Sequence, residues 1–183
     1  MSHSADVAQG HDTLSVKGEG PSRAIVHLPG GVGIRSLWVF GELLTYKIPS
    51  QRTGGAYTLF EVSTQPGAGP PPHVHHREDE SFYVLEGEYE FLGDSYSRKV
   101  ETGSLIYVPK GALHAHKGVG DRSGRMLLIQ TPGGLYERFF EKVGKPADRG
   151  AASLDIEDQP DMEKVAKVAA EYGIEIHQPI GEK

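Results

Sequence analysis

Four residues in two short stretches of this 183-residue chain have the types and spacing to hold a transition metal. Gly67 to Gly87 contains His73, His75 and Glu80, and Gly103 to His116 contains His114. Along an extended strand alternate side chains share a face and each residue advances about 3.3 Å, so His73 and His75 can aim at one atom. Glu80 adds an anionic oxygen, and His114, from a separate strand, adds a third imidazole. Three nitrogens and one oxygen suit a divalent ion and leave coordination positions open for a further ligand. The chain has no Cys, which excludes thiolate ligands and disulfides and leaves His and carboxylates as the donors. That donor set accepts Fe, Mn, Ni, Co, Cu or Zn alike, so the expectation is one divalent transition metal per chain, its identity open.

Neighbouring positions follow from the same alternation. His116 shares the parity of His114 and is expected on the interior face, as a substrate-pocket residue or as ordinary polar packing. Phe82 and Val84 share the parity of Glu80, which makes them an apolar wall beside the metal and candidate lining of a substrate pocket. Glu80 is then both ligand and candidate catalytic base. His76 is expected to face solvent, and His3, His11, His27 and His177 have no partner at useful spacing.

These residues must be positioned by strands. From Ser22 to about Gln130, short β-branched or aromatic segments alternate with Gly and Pro: Arg23 to Leu28, Ser36 to Ile48, Ala56 to Ser63, Ser81 to Leu85, Glu88 to Leu92, Ser97 to Glu101, Leu105 to Val108, Leu113 to Lys117 and Arg125 to Thr131. This spacing predicts an all-β sandwich or barrel. Glu86-Gly87 is placed to turn a two-residue hairpin, with Gly87 at positive φ. Pro70, Pro71 and Pro72 predict an extended rim segment leading into His73. Two helices are predicted, one over Leu135 to Val143 with Gly144 as its stop, the other from about Pro160 to Tyr172 ended by Gly173. Residues 1–20 are polar and read as a flexible arm, 21–183 as one domain, and Ala147 to Gln159 as an acidic surface linker.

Taken together, Gly67-x5-His73-x-His75-x4-Glu80-x6-Gly87 and Gly103-x5-Pro109-x-Gly111-x2-His114 resemble the two sequence motifs of the cupin superfamily. The Asn that often closes the second motif is Gly118 here, and that Asn is not a metal ligand. The resemblance implies a cupin β-barrel of jelly-roll type with C-terminal helices, and His73, His75, Glu80 and His114 as its metal ligands. The stretch from Pro132 to Ala147, followed by a late helix and Tyr172-Gly-Ile-Glu-Ile, is similar to single-barrel bacterial quercetin 2,3-dioxygenase-like cupins. That likeness implies a dioxygenase acting on an aromatic or enolisable small molecule with O₂, and a homodimer. A metal-dependent isomerase or lyase and a non-catalytic binding barrel use the same scaffold, and fold alone does not choose among them.

Several classes are disfavoured by composition and motif. Nineteen Lys and Arg against 25 Asp and Glu give a net charge of −6 without a basic block, so nucleic acid and anionic membrane are not expected partners. Apolar runs such as Leu37 to Phe40 are too short to span a bilayer and the N-terminus lacks a signal pattern, so a cytoplasmic location is expected. Gly31-Val-Gly33-Ile-Arg-Ser36 lacks the third Gly of a dinucleotide fingerprint, and neither a P-loop nor a GxSxG elbow is present.

Overall fold

The computed structural model describes residues 25–147 and 160–178. Strand alternation dominates: β1 (Ser36–Val39), β2 (Glu42–Ile48), β3 (Thr58–Thr64), β4 (His73–His75), β5 (Asp79–Glu86), β6 (Glu88–Gly93), β7 (Ser97–Glu101), β8 (Leu105–Val108), β9 (His114–Val119), β10 (Gly124–Thr131), β11 (Lys145–Pro146) and β12 (Ile174–Ile176). Three helices join them: α1 (Ser50–Thr53), α2 (Leu135–Val143) and α3 (Met162–Glu171). One antiparallel sheet runs β11-β1-β2-β3-β10-β5-β8 and the other β12-β4-β9-β6-β7. The two enclose the core as a jelly roll, the architecture that the motif resemblance implies.

Burial follows parity. Leu44 and Tyr46, Phe60 and Val62, Phe82 and Val84, Tyr89 and Phe91, and Met126 and Leu128 all point inward from their strands. Aromatic rings interlock at the centre, with Tyr46 edge-on to Phe60 at 4.7 Å between centroids and Phe60 edge-on to Phe140 at 5.8 Å. Helix α2 closes this end of the barrel by burying Tyr136, Phe139 and Phe140. Its buried Glu137 accepts hydrogen bonds from Ser50 N and Thr58 Oγ1, both at 3.1 Å, so the one charge on its inner face is satisfied. Helix α3 begins later than its periodicity suggests, because Asp161 caps it by accepting from the backbone N–H groups of Glu163 and Lys164.

Four sequence expectations are corrected. The expected hairpin at Glu86-Gly87 is instead a corner where the chain passes from one sheet to the other, since β5 pairs with β10 and β8 while β6 pairs with β9 and β7. Gly87 does take a positive φ, 82°, and a Cβ there would meet Gly124 Cα at 2.8 Å, so close backbone crossing demands the glycine. Ser36 to Ile48 is two strands, broken by a turn in which Phe40 and Gly41 both have positive φ, 53° and 75°. Ile25 to Leu28, inside the expected first strand, is irregular and finds no partner strand among the described residues. Finally, α1, β11 and β12 have no counterpart in the strand and helix list read from sequence. Residues 1–20 and 148–159, the expected arm and most of the expected linker, lie outside the described residues.

Candidate metal centre

The short strand β4 carries His73 and His75, β5 carries Glu80, and β9 carries His114, with His73 directly opposite His114 in the β4–β9 pairing. All four side chains are buried, and one ligand atom from each lies within 4.8 Å of the other three. Backbone carbonyls orient two of the imidazoles: His73 Nδ1 donates to Pro71 O at 2.8 Å and His114 Nδ1 to Ala112 O at 3.1 Å. A carbonyl oxygen only accepts, so the proton sits on Nδ1 and the Nε2 lone pair is left for the interior. Glu80 Oε2 lies 2.7 Å from His114 Nε2 and 3.5 Å from His75 Nε2. Among the buried atoms without a well-formed hydrogen bond are the Nε2 atoms of His73, His75 and His114 and Oε2 of Glu80. Four orphaned donor atoms in one place are expensive in a folded interior unless something binds them. A single metal ion is what that donor set suits.

Electrostatics agree. Burial, helped by the neighbouring His114 and His75, pushes the His73 imidazole well below its usual range and keeps it a neutral donor. Burial works the same way on His75, but Glu80 and Glu78 outweigh it and leave His75 raised. Burial would raise Glu80, yet His75, His114 and His73 together outweigh it and hold the carboxylate below its usual range. The site is therefore an anionic oxygen among imidazoles, ready for a cation.

The ring around these four was not read from the sequence. Glu78, fully buried, accepts from the backbone N–H of Tyr136 at 3.1 Å and places its other oxygen 3.5 Å from His75 Nδ1. Gln130 donates to Glu80 Oε1 at 3.0 Å, which fixes the carboxylate's rotamer and leaves Oε2 for the interior. The Tyr136 ring stands edge-on to His75 at 4.5 Å. Such outer contacts orient ligands and tune their basicity. A signal for Gln130 was present: it continues the inward parity of Met126 and Leu128 as a polar residue on an apolar face, opposite Glu80. Glu78 likewise has the parity of Glu80.

His116 is inward and buried, as its parity predicts, but its Nε2 bonds Glu42 Oε1 at 2.8 Å, and Thr64 Oγ1 donates to the same oxygen at 2.7 Å. Phe82 and Val84 lie in the core, with Phe82 5.4 Å from the His116 ring. His76 faces outward and meets Glu175 at 3.0 Å. His177, which had no partner at useful spacing, reaches the other oxygen of Glu175 at 3.2 Å because β12 lies beside β4. Gly118 stands where the family often has Asn because a Cβ there would meet Gln65 O at 2.8 Å, and the backbones of Gly118 and residues 67–68 exchange hydrogen bonds.

The family model described as a cupin domain matches residues 60–130, which include all four cluster residues. The chain is 28% identical over 120 residues to quercetin 2,3-dioxygenase of Bacillus subtilis (strain 168), covering 65% of this chain and 34% of that protein. It is 35% identical over 106 residues to oxalate oxidase 2 of Hordeum vulgare, covering 52% of this chain and 47% of that one. The chain thus spans a half or less of these curated relatives. Among solved structures, KdgF from Halomonas sp. aligns with a TM-score of 0.47 at 18% identity, over 52% of this chain and 84% of that one.

Proposed function

Residues 60–130 are a cupin domain, and from that premise we propose that the chain is a mononuclear metal-dependent dioxygenase acting on an aromatic or enolisable small molecule, with O₂ as cosubstrate. One observation carries the reading: three imidazole nitrogens and one carboxylate oxygen, all buried and lacking good hydrogen bonds, converge on a single point. The similarity to quercetin 2,3-dioxygenase supports the choice of reaction and substrate class.

In this reading His73, His75, His114 and Glu80 would hold the metal, which would supply Lewis acidity and redox capacity. Glu80 has a second role. Gln130 donates to Oε1 and fixes the carboxylate, which would take the enolic proton. Glu78 holds His75, and the Pro71 and Ala112 carbonyls hold His73 and His114, so the ligand set is preorganised rather than assembled on binding. Phe82 and Val84, on the same strand as Glu80, would give the substrate an apolar wall that excludes water, and His116, paired with Glu42, packs behind Phe82.

The test is elemental analysis of untagged protein combined with oxygen uptake over flavonols, related enols and oxalate. A redox-active metal near one per chain with uptake on a flavonol or enol is the expected result. Zinc with oxygen-independent turnover would replace the reading with an isomerase or lyase, and tight ligand binding without turnover would replace it with a binding barrel.

A further inference from the structure

The buried carboxamide of Gln130 is only half used. Gln130 is 1% exposed on the inward face of β10, where the residues of the same parity, Met126 and Leu128, belong to the apolar core. Its Nε2 donates to Glu80 Oε1 at 3.0 Å, and because a carboxylate only accepts, that bond fixes which end of the amide is nitrogen. The other end, Oε1, is a buried acceptor without a hydrogen-bond partner.

The donors flanking Gln130 are spent elsewhere. Gln130 stands in register between Thr58 on β3 and Glu80 on β5. The Thr58 hydroxyl donates to Glu137 Oε2 at 3.1 Å, and the backbone N–H of Tyr136 donates to Glu78 at 3.1 Å. An orphaned carbonyl oxygen costs a folded interior stability, and holding Glu80 in place needs the amide nitrogen alone. A methionine of similar volume would fill the space without that cost, so the oxygen calls for a donor from outside the chain. Its amide is bonded to the one carboxylate of the four-residue cluster, which puts it beside whatever that cluster seats.

We propose that Gln130 selects the substrate: the molecule taken at the metal centre carries, on the carbon next to the oxygen that binds the metal, a hydroxyl that donates to Gln130 Oε1, so it is an enediol or a catechol. This rests on the reading of the centre as a dioxygenase site and narrows its substrate class from enols in general to vicinal dihydroxy compounds. The polarity of Oε1 decides the class. A carbonyl oxygen can only accept, so ionised oxalate, which carries acceptors alone, would set one lone pair against another. An enediol or catechol offers one oxygen to the cation held by His73, His75, His114 and Glu80 and one O–H to Gln130. A buried polar group of this kind discriminates strongly, because a ligand without the donor leaves it unpaired.

Binding to the zinc-loaded full chain tests this, since zinc suits the same donor set and has no redox chemistry to consume the probes. The probes are catechol and guaiacol, in which a methyl ether replaces one hydroxyl, and calorimetry reads both affinities. Methylation also weakens chelation of the metal, but it does so in wild type and variant alike, so the change in the catechol-to-guaiacol affinity ratio isolates the Gln130 contact. At equal zinc occupancy Gln130→Met is expected to lower that ratio about tenfold, and Gln130→Glu, which keeps an acceptor oxygen, is expected to retain it. A second readout needs no variant: in wild type labelled with carbon-13 at the glutamine side-chain carbonyl, the Gln130 resonance should move on adding catechol and stay in place with guaiacol. A ratio unchanged in Gln130→Met, or a carbonyl resonance indifferent to catechol, overturns the proposal while leaving the metal centre intact. Failure of wild type to bind either probe overturns it too. Zinc well below about one per chain in wild type instead overturns the metal reading on which the proposal rests.

Discussion

Strand β9 presents two buried histidines two residues apart, and their surroundings separate a candidate ligand from a packed residue. His114 has its Nδ1 held by the Ala112 carbonyl, so its Nε2 faces the other cluster atoms, with Glu80 Oε2 at 2.7 Å. At His116 the Nε2 is taken by Glu42, whose oxygen is shared with Thr64, while its Nδ1 stands without a hydrogen-bond partner inside an aromatic cage of Phe82, Phe91 and Tyr89. Residue type, strand, parity and burial are the same for both. The difference lies in which nitrogen the neighbours consume. A buried imidazole whose free nitrogen converges with two others and a carboxylate is arranged to suit a metal, and one whose Nε2 meets a single carboxylate with no second imidazole beside it is arranged for packing.

The largest expected effect breaks the comparison outright. His114→Ala should lower bound metal from about one per chain to near none, while His116→Ala should leave the stoichiometry unchanged, as read by elemental analysis of both proteins after identical loading. Equal metal loss in the two would erase the distinction. The next effect sharpens the role of the carboxylate that faces His114. Glu80→Gln keeps an oxygen donor but loses the proton-accepting charge, so at equal metal occupancy the turnover on the best flavonol or enol should fall about 10² to 10⁴-fold. Unchanged rates would leave Glu80 a ligand only.

The carboxylate facing the other histidine should behave in the opposite manner. Glu42→Ala strips the acceptor from His116 Nε2 and Thr64 Oγ1 inside the barrel, at a cost of about 1–3 kcal/mol for each buried polar group left unpaired. Denaturant unfolding should show that loss while metal content stays at the wild-type value, and a drop in metal with stability intact would reverse the assignment of the two clusters. The smallest effect concerns pH. His75 is raised above its ordinary value because Glu80 and Glu78 outweigh the burial that would lower it. Its proton must leave before the nitrogen can bind metal, so as pH falls through and below that raised value the apparent metal affinity should weaken by about tenfold per pH unit for one competing proton. Above it, affinity should level off. A titration of metal affinity against pH checks the sign, and Glu78→Gln should shift the break to lower pH by removing one of the two charges that raise it.

Much of the site was legible in the chain because it depends on local rules. Strand parity placed His73 with His75, His114 with His116 and Glu80 with Phe82 and Val84, and these positions are buried as expected. The stripe of α2 was equally visible, since 3.6-residue periodicity is written in neighbouring residues. What alternation could not say was which inward polar residue meets which. Glu42 lies 74 residues from His116 and Gln130 lies 50 from Glu80, and only the facing of β2 and β9 across the two sheets and the pairing of β10 with β5 bring them near.

The sequence by itself determined the donor atoms, the faces they share and the glycine that the Glu86–Glu88 corner requires, because side-chain chemistry, the two-residue strand repeat and the φ preference of glycine are properties of short segments. Tertiary structure decided that this corner joins two sheets rather than two neighbouring strands, that β12 lies against the strand bearing His73 and His75, and that Glu42 meets His116 while His114 joins the three-histidine, one-carboxylate cluster. Those outcomes depend on contacts between segments far apart in the chain, where many pairings satisfy the same local pattern and the choice falls to the one that buries the apolar faces and leaves fewest polar atoms without partners.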